Sequence, residues 1–274
     1  MKNSTFIKKI WDYSAQHRRD MSWRKNITPY RIVVSEIMLQ QTQADRVAKK
    51  FDGFIRRFPS WKALALAPTK DVLEEWQGLG YNRRALNLQK CARAVVEQHK
   101  GKLPQTPEEL IELPSIGPNT AGSILAFAFN IPHPFIETNI RSVYIHHFFS
   151  KKSTTTKISD KEILQKVTET LDQENPREWY YALMDYGTHL KKLHINPSRK
   201  SKHHKSQSKF KGSHRELRAH ILKLLIKEPY SYTNLITTLQ TWRKTLSIDE
   251  SELAISELEQ EGFIMLNKNL YTIV

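Results

Sequence analysis

Between Lys2 and about Leu193 apolar residues recur three and four positions apart, and strand-like alternation is scarce, which restricts this stretch to packed α-helices. Helix starts are written into it. Thr28-Pro29 places a capping threonine before a proline at the first helical position, and the periodic pattern continues through Tyr30, Val33 and Ile37. Thr106-Pro107-Glu108-Glu109 repeats the signal, with Glu109 spaced for a capping box. Pro68-Thr69 and Asn175-Pro176 mark further boundaries. Glycine fills only 9 of 274 positions, which argues against a Gly-rich β architecture, while 39% hydrophobic residues suffice for a packed core.

The pattern changes beyond His194. Residues 196–212 are polar and basic and read as a linker or a phosphate-hugging arm. Residues 213–274 regain periodicity. Leu217, Ile221, Leu224 and Leu225 mark one amphipathic helix, Tyr232 to Trp242 a second, and Ile248 to Glu261 a third that ends at Gly262. Phe263 to Leu266 and Leu270 to Val274, joined by Asn267-Lys268-Asn269, form a hairpin. Three helices and a hairpin predict a winged helix, a module that serves both DNA and protein contacts. The predicted fold is therefore mainly α: a core over 1–195, a basic arm over 196–212 and a winged-helix-like domain over 213–274.

Lys and Arg outnumber Asp and Glu 43 to 28, a formal net charge of +15. Such an excess fits a polyanion partner, because each Lys or Arg contact to nucleic acid releases condensed counterions. Cys91 is the single cysteine, so the chain can build neither an internal disulfide nor a cysteine-ligated zinc or iron–sulfur site. The first residues lack the apolar core of a signal peptide, and no run reaches the length of a membrane span. A cytoplasmic, soluble monomer with no membrane partner is expected.

Two features carry chemistry. Glu36 has Ile32, Val33, Leu39 and Gln40 three and four residues away on its helix. A carboxyl among apolar neighbours resists ionisation, and one that keeps its proton near neutral pH is a general acid. The bland alternative is a Glu that reaches solvent or pairs with Arg31. The second feature is Leu113-Pro114-Ser115-Ile116-Gly117-Pro118-Asn119-Thr120-Ala121, set between two helices. A tight turn there points backbone N–H groups at whatever anion lies before the second helix. An ordinary helical hairpin is the alternative.

That string resembles the helix-hairpin-helix element of the endonuclease III and MutY superfamily of DNA glycosylases. Three further segments match in order. Trp23, Pro29-Tyr30 and Ser35-Glu36-Ile37-Met38-Leu39-Gln40-Gln41-Thr42-Gln43 are similar to the MutY adenine glycosylase signature. Trp76-Gln77-Gly78-Leu79-Gly80-Tyr81 and Ala182-Leu183-Met184-Asp185-Tyr186-Gly187 resemble two more of its segments. The likeness spans about residues 5–195, and Phe210 to Arg215 resembles the junction before the C-terminal helices of shorter MutY-like proteins.

The resemblance implies roles. Glu36 becomes the proton donor and water activator, Glu137 the second carboxylate and Asn139 its support. Trp23, Gln40 and Asn119 line the base pocket. Gln41 and Tyr81 enter the base stack. Arg83, Ile116, Gly117 and Thr120 complete the DNA contacts, Ile116 and Gly117 in the phosphate-gripping hairpin. Asn119 stands where bifunctional members carry a Schiff-base lysine, so β-lyase chemistry is not expected. The sequence departs from the family in three places: Glu137 replaces an Asp, the four-cysteine iron–sulfur loop is absent, and no large domain reading 8-oxoguanine follows the core. No cofactor is expected beyond a monovalent cation in the hairpin.

The expected reaction extrudes the base, protonates it from Glu36 and stabilises the sugar cation with Glu137. The expected partner is double-stranded DNA with a mispair or lesion, above all adenine opposite guanine or 8-oxoguanine. A uracil, thymine-mismatch or other damaged-base glycosylase, a non-catalytic DNA-binding protein and an RNA-binding role are the alternatives. His146-His147 is expected to pack rather than bind metal, and His203-His204 to add positive charge. Trp61, Trp76, Trp179 and Trp242 are expected as core anchors, and Arg83 and Arg84 as phosphate contacts or a solvated helix start.

Overall fold

The computed structural model describes residues 1–150, 157–202 and 209–274; His203-His204 lie outside them. The described chain forms helices α1 (Asn3–His17), α2 (Pro29–Leu39), α3 (Ala44–Arg57), α4 (Trp61–Leu66), α5 (Thr69–Trp76), α6 (Arg83–Gln98) and α7 (Pro107–Glu112). After these come α8 (Pro118–Ile124), α9 (Thr138–Phe148), α10 (Asp160–Thr170), α11 (Pro176–Leu193), α12 (His214–Lys227), α13 (Tyr232–Trp242) and α14 (Ile248–Gln260). Three short strands complete it: β1 (Tyr230–Ser231), β2 (Ile264–Asn267) and β3 (Leu270–Ile273). Among the described residues no helix is long and apolar enough to cross a membrane.

Capping explains most boundaries. The Thr28 hydroxyl accepts from Arg31 N–H, and Pro29 follows as the first helical residue. Thr106 accepts from Glu109 N–H in the same way. The expected capping box is only half made, because the Glu109 carboxylate accepts from the Thr106 hydroxyl at 2.5 Å. α8 runs on into a π-helical turn, Leu125–Phe129, which the left-handed Asn130 ends.

The described residues gather into two compact units. The first draws on Met1–Gln40 and Gln98–Ser206. Its core joins α1, α9 and α11, where Phe6 is ringed by Tyr144, His147, Phe148 and Trp179. His147 is buried and bonds the Tyr186 hydroxyl at 3.0 Å, while His146 stacks on His194. α9 and α11 approach closely at Gly187, where a Cβ would sit 2.6 Å from the Asn139 carbonyl oxygen. No larger residue fits that crossing.

The second unit draws on Gln41–Glu97 and Gln207–Val274. The residues expected as one core over 1–195 are therefore shared between both units, and α12 packs against α5. Trp61 and Trp76 are buried there, as Trp179 is in the first unit. Trp242 is not a core anchor: it is the last residue of α13, is 36% exposed and stacks on His220 at 4.0 Å. The predicted hairpin forms, with Ile264 opposite Ile273 and Asn267 opposite Leu270. Lys268 and Asn269, both left-handed, make the two-residue turn that matches strand twist. The short β1 adds a third strand beside β3, giving the order β1-β3-β2.

Candidate active site

The first unit brings the two predicted carboxylates together. Glu36 projects from α2 beside Ile32 and Val33, both buried. Its carboxyl is pushed up to about 7, chiefly by burial and further by the Glu137 charge, against the opposing pulls of Ser123 and Arg24. Ser123, one turn into α8, places its hydroxyl 2.6 Å from Glu36 Oε2 and 2.9 Å from the Thr120 carbonyl. A hydroxyl has one proton to give. When Glu36 is protonated it can donate to the Ser123 oxygen, while the Ser123 hydroxyl donates to the Thr120 carbonyl. When Glu36 ionises, Ser123 turns to the carboxylate.

Glu137 is the N-cap of α9, and the start of that helix holds it. One oxygen accepts from Asn139 N–H at 2.7 Å and Ile140 N–H at 2.9 Å, and the other from the Asn139 amide at 3.2 Å. Asn139 in turn accepts from Lys191 Nζ at 2.8 Å. An ammonium can only donate, so Lys191 fixes which way the Asn139 amide faces and leaves its NH2 for Glu137. Burial pulls the Lys191 ammonium below its ordinary value, and Arg141 adds to this, while Glu137 acts in the opposite sense.

Behind Glu36 stands a second charged group. Arg24 forks onto Asp185 at 2.8 and 2.9 Å, Arg19 adds a bond of 2.6 Å, and the Arg24 guanidinium lies 4.3 Å from the Tyr181 ring centre. Burial works against the Asp185 charge, but the two arginines prevail and hold its carboxyl below the usual range. Trp23 is buried in the same 3-10 turn, Ser22–Arg24.

Other predicted residues act as ties. Gln40 reaches the Ser115 carbonyl at 3.3 Å and the Thr120 hydroxyl at 3.4 Å, joining the end of α2 to the hairpin. Asn119 is exposed and accepts from Ile136 N–H at 3.0 Å, which ties α8 to the segment before Glu137. The left-handed Ser115 closes the hairpin turn and Gly117 caps α8. One expectation changes: Ile116 points its N–H at the Leu113 carbonyl and buries its side chain, so it anchors the hairpin and offers no amide to a phosphate.

Gln41, Tyr81 and Arg83 belong to the second unit. Gln41 and Tyr81 both carry left-handed backbones, φ +54° and +49°, which cost side-chain-bearing residues about 1 kcal/mol or more. Arg84 holds both loops: it is buried and donates to Thr42, Leu79 and Gly80 within 3.3 Å. It is therefore neither a phosphate contact nor a solvated helix start. Arg83 pairs with Glu261 at 2.9 Å, and half of its side chain is exposed. Ser123, Arg24 and Lys191 escaped the sequence reading. Each is a polar residue at an unremarkable helix position, and only the fold brings it to a carboxylate. Among the described residues no three His, Cys, Asp or Glu side chains cluster to hold a metal ion. Cys91 is buried in α6, and its thiol is pushed up to about 12.

A helical hairpin beside a buried carboxyl raised to about 7, with a second carboxylate capping its own helix, points to a class. Residues 34–169 match the model of the HhH-GPD superfamily base excision DNA repair protein, and over that stretch the chain belongs to the superfamily. Its relatives are more particular. It is 35% identical over 174 residues to an adenine DNA glycosylase of Buchnera aphidicola subsp. Baizongia pistaciae, 62% of this chain and 48% of that protein. It is 42% identical over 132 residues to the adenine DNA glycosylase of Mycobacterium tuberculosis, 48% of this chain and 43% of that protein. The chain thus spans about half the length of these curated relatives. The structure of a thermostable thymine-DNA glycosylase superposes with a TM-score of 0.60 at 23% identity, covering 68% of this chain and 85% of the other, which speaks to the fold alone.

Proposed function

We propose that this chain is a monomeric, cytoplasmic and monofunctional DNA glycosylase that releases a mispaired base from duplex DNA, with adenine opposite guanine or 8-oxoguanine as its substrate. The observation that carries the reading is Glu36, a carboxyl pushed up to about 7 beside a second carboxylate held in place by its own helix. The names of the curated relatives support adenine as the base. The net charge of +15 supports duplex DNA as the partner.

The target nucleotide leaves the stack, since its glycosidic bond cannot be reached inside the duplex. Glu36 gives its proton to a ring nitrogen of the purine, the C1′–N9 bond breaks, and its electron pair leaves with the base. The sugar becomes an oxocarbenium ion, which Glu137 stabilises by charge. Water attacks C1′ and gives a proton to the Glu36 carboxylate, which restores the acid and leaves an abasic sugar. Trp23, Gln40 and Asn119 shape the base pocket, Gly117 and Thr120 meet the backbone, and Gln41 and Tyr81 occupy the stack. No iron–sulfur cluster takes part, because Cys91 is the only cysteine of the chain. A monovalent cation on the hairpin carbonyls completes the proposal. The C-terminal helices and hairpin act as a winged-helix-like domain.

The test is a panel of duplexes with one lesion each, incubated with the full chain under single-turnover conditions and treated with alkali. Cleavage at adenine opposite guanine or 8-oxoguanine is expected. Cleavage only at uracil or thymine mispairs would transfer the activity to a different base. No alkali-labile site in any duplex would leave a DNA-binding protein without catalysis. Borohydride is expected to trap no adduct, because Asn119 cannot form an imine.

A further inference from the structure

The C-terminal domain touches the loop that the proposed function assigns to the base stack. Tyr81 projects from the turn between α5 and α6, between left-handed Gly80 and the start of α6, and is 36% exposed. Arg215, in the first turn of α12, donates from Nη1 to the Tyr81 hydroxyl at 2.9 Å. Its guanidinium also lies 5.5 Å from the ring centre, and that of Arg84 lies 5.6 Å away. The phenol is thus held by its oxygen and cradled by two cations.

The contact rests on a braced helix. Ser213 caps α12, and Glu216 takes the Gly212 N–H and Arg243, both at 2.7 Å. Two residues beyond Tyr81, Arg83 pairs with Glu261, which also accepts from Arg218, and Arg218 bonds Glu257 in turn. A chain of charge-assisted bonds therefore runs from the tyrosine loop into α12 and α14. Loose alignment of such a loop would cost little in binding to plain duplex and much in forcing bases apart. A planar guanidinium that donates to the phenol oxygen and lies near its ring removes that looseness.

We propose that Arg215 is a positioning residue for Tyr81, so that the C-terminal domain acts by setting the stacking tyrosine rather than by reading DNA itself. This rests on the proposed role of Tyr81 in the base stack. It predicts a definite pattern. Removing the guanidinium and removing the phenol oxygen both delete the same hydrogen bond, and removing the guanidinium also deletes its contact with the ring. Arg215→Lys restores the charge without the planar guanidinium and recovers only part of the effect.

The experiment uses the full chain and a duplex carrying adenine opposite 8-oxoguanine with 2-aminopurine beside the adenine. Fluorescence reports unstacking independently of base release. Arg215→Ala and Tyr81→Phe should each weaken unstacking and single-turnover release about tenfold, the worth of one charge-assisted bond. The double variant should do no worse than either alone. The slope of affinity against salt should stay unchanged, whereas loss of a phosphate contact would reduce it by about one. Additive effects, a lowered slope or wild-type unstacking in Tyr81→Phe would each overturn the proposal, as would a wild-type protein that unstacks nothing. Unstacking that follows the pattern without base release from any duplex would uphold the role of Arg215 and refute the glycosylase reading.

Discussion

At the residue scale the account turns on where protons sit. Glu36 is raised to about 7 in the folded protein from an ordinary 4.5. Between those values the folded state holds a proton that the unfolded chain has lost, so stability falls as pH rises through this window. Glu36→Gln removes that penalty. Melting at pH 8 should show the variant more stable than wild type by at most about 3 kcal/mol, and melting at pH 4 should show little difference. Ser123→Ala removes a bond that favours the ionised form of Glu36. The alkaline limb of its pH–rate profile should move to higher pH, and a shift to lower pH would contradict the assigned hydrogen bond. Lys191→Met frees the Asn139 amide to turn. Turnover should fall by about tenfold with little change in duplex affinity, measured as kcat and Kd separately. The Glu36 environment could be anticipated from its apolar neighbours on one helix. Ser123 and Lys191 could not, since they come from α8 and α11 and meet the carboxylates only through tertiary packing.

At the element scale, helix starts were the most legible part of the fold. Thr28 and Thr106 cap α2 and α7 through bonds to residues three positions on, so local sequence carries the information. β1 was not legible, because two residues leave no alternation to detect and the strand exists only by pairing with Tyr271 and Leu270. Gly187 shows why one small residue matters between helices. Gly187→Ala would press a methyl against the Asn139 backbone, with expected destabilisation of about 1–3 kcal/mol by denaturant melting and a loss of turnover through Asn139. α14 carries Asp249, Glu250, Glu252, Glu257 and Glu259 with no Lys or Arg, a poor surface for phosphate. Replacing the exposed Asp249 and Glu259 with Ala should leave duplex affinity within about twofold; a gain of tenfold would place this helix against the backbone.

At the scale of the whole molecule, the grouping of residues into units was the least legible feature. Gln41–Glu97 and Gln207–Val274 share a compact unit through pairs such as Arg83–Glu261, which lie far apart in sequence and leave no mark on periodicity. The charge excess was legible at once, and it sets a global expectation: affinity for any duplex should fall steeply with salt. The most direct measurement of the central claim is the single-turnover rate of adenine release from an adenine–8-oxoguanine duplex, followed from pH 5 to pH 9 for the wild-type chain and Glu36→Gln. A wild-type rate that falls above about pH 7, with a loss of at least about a hundredfold in the variant at unchanged duplex affinity, is the predicted result. A variant that releases adenine at the wild-type rate would contradict it.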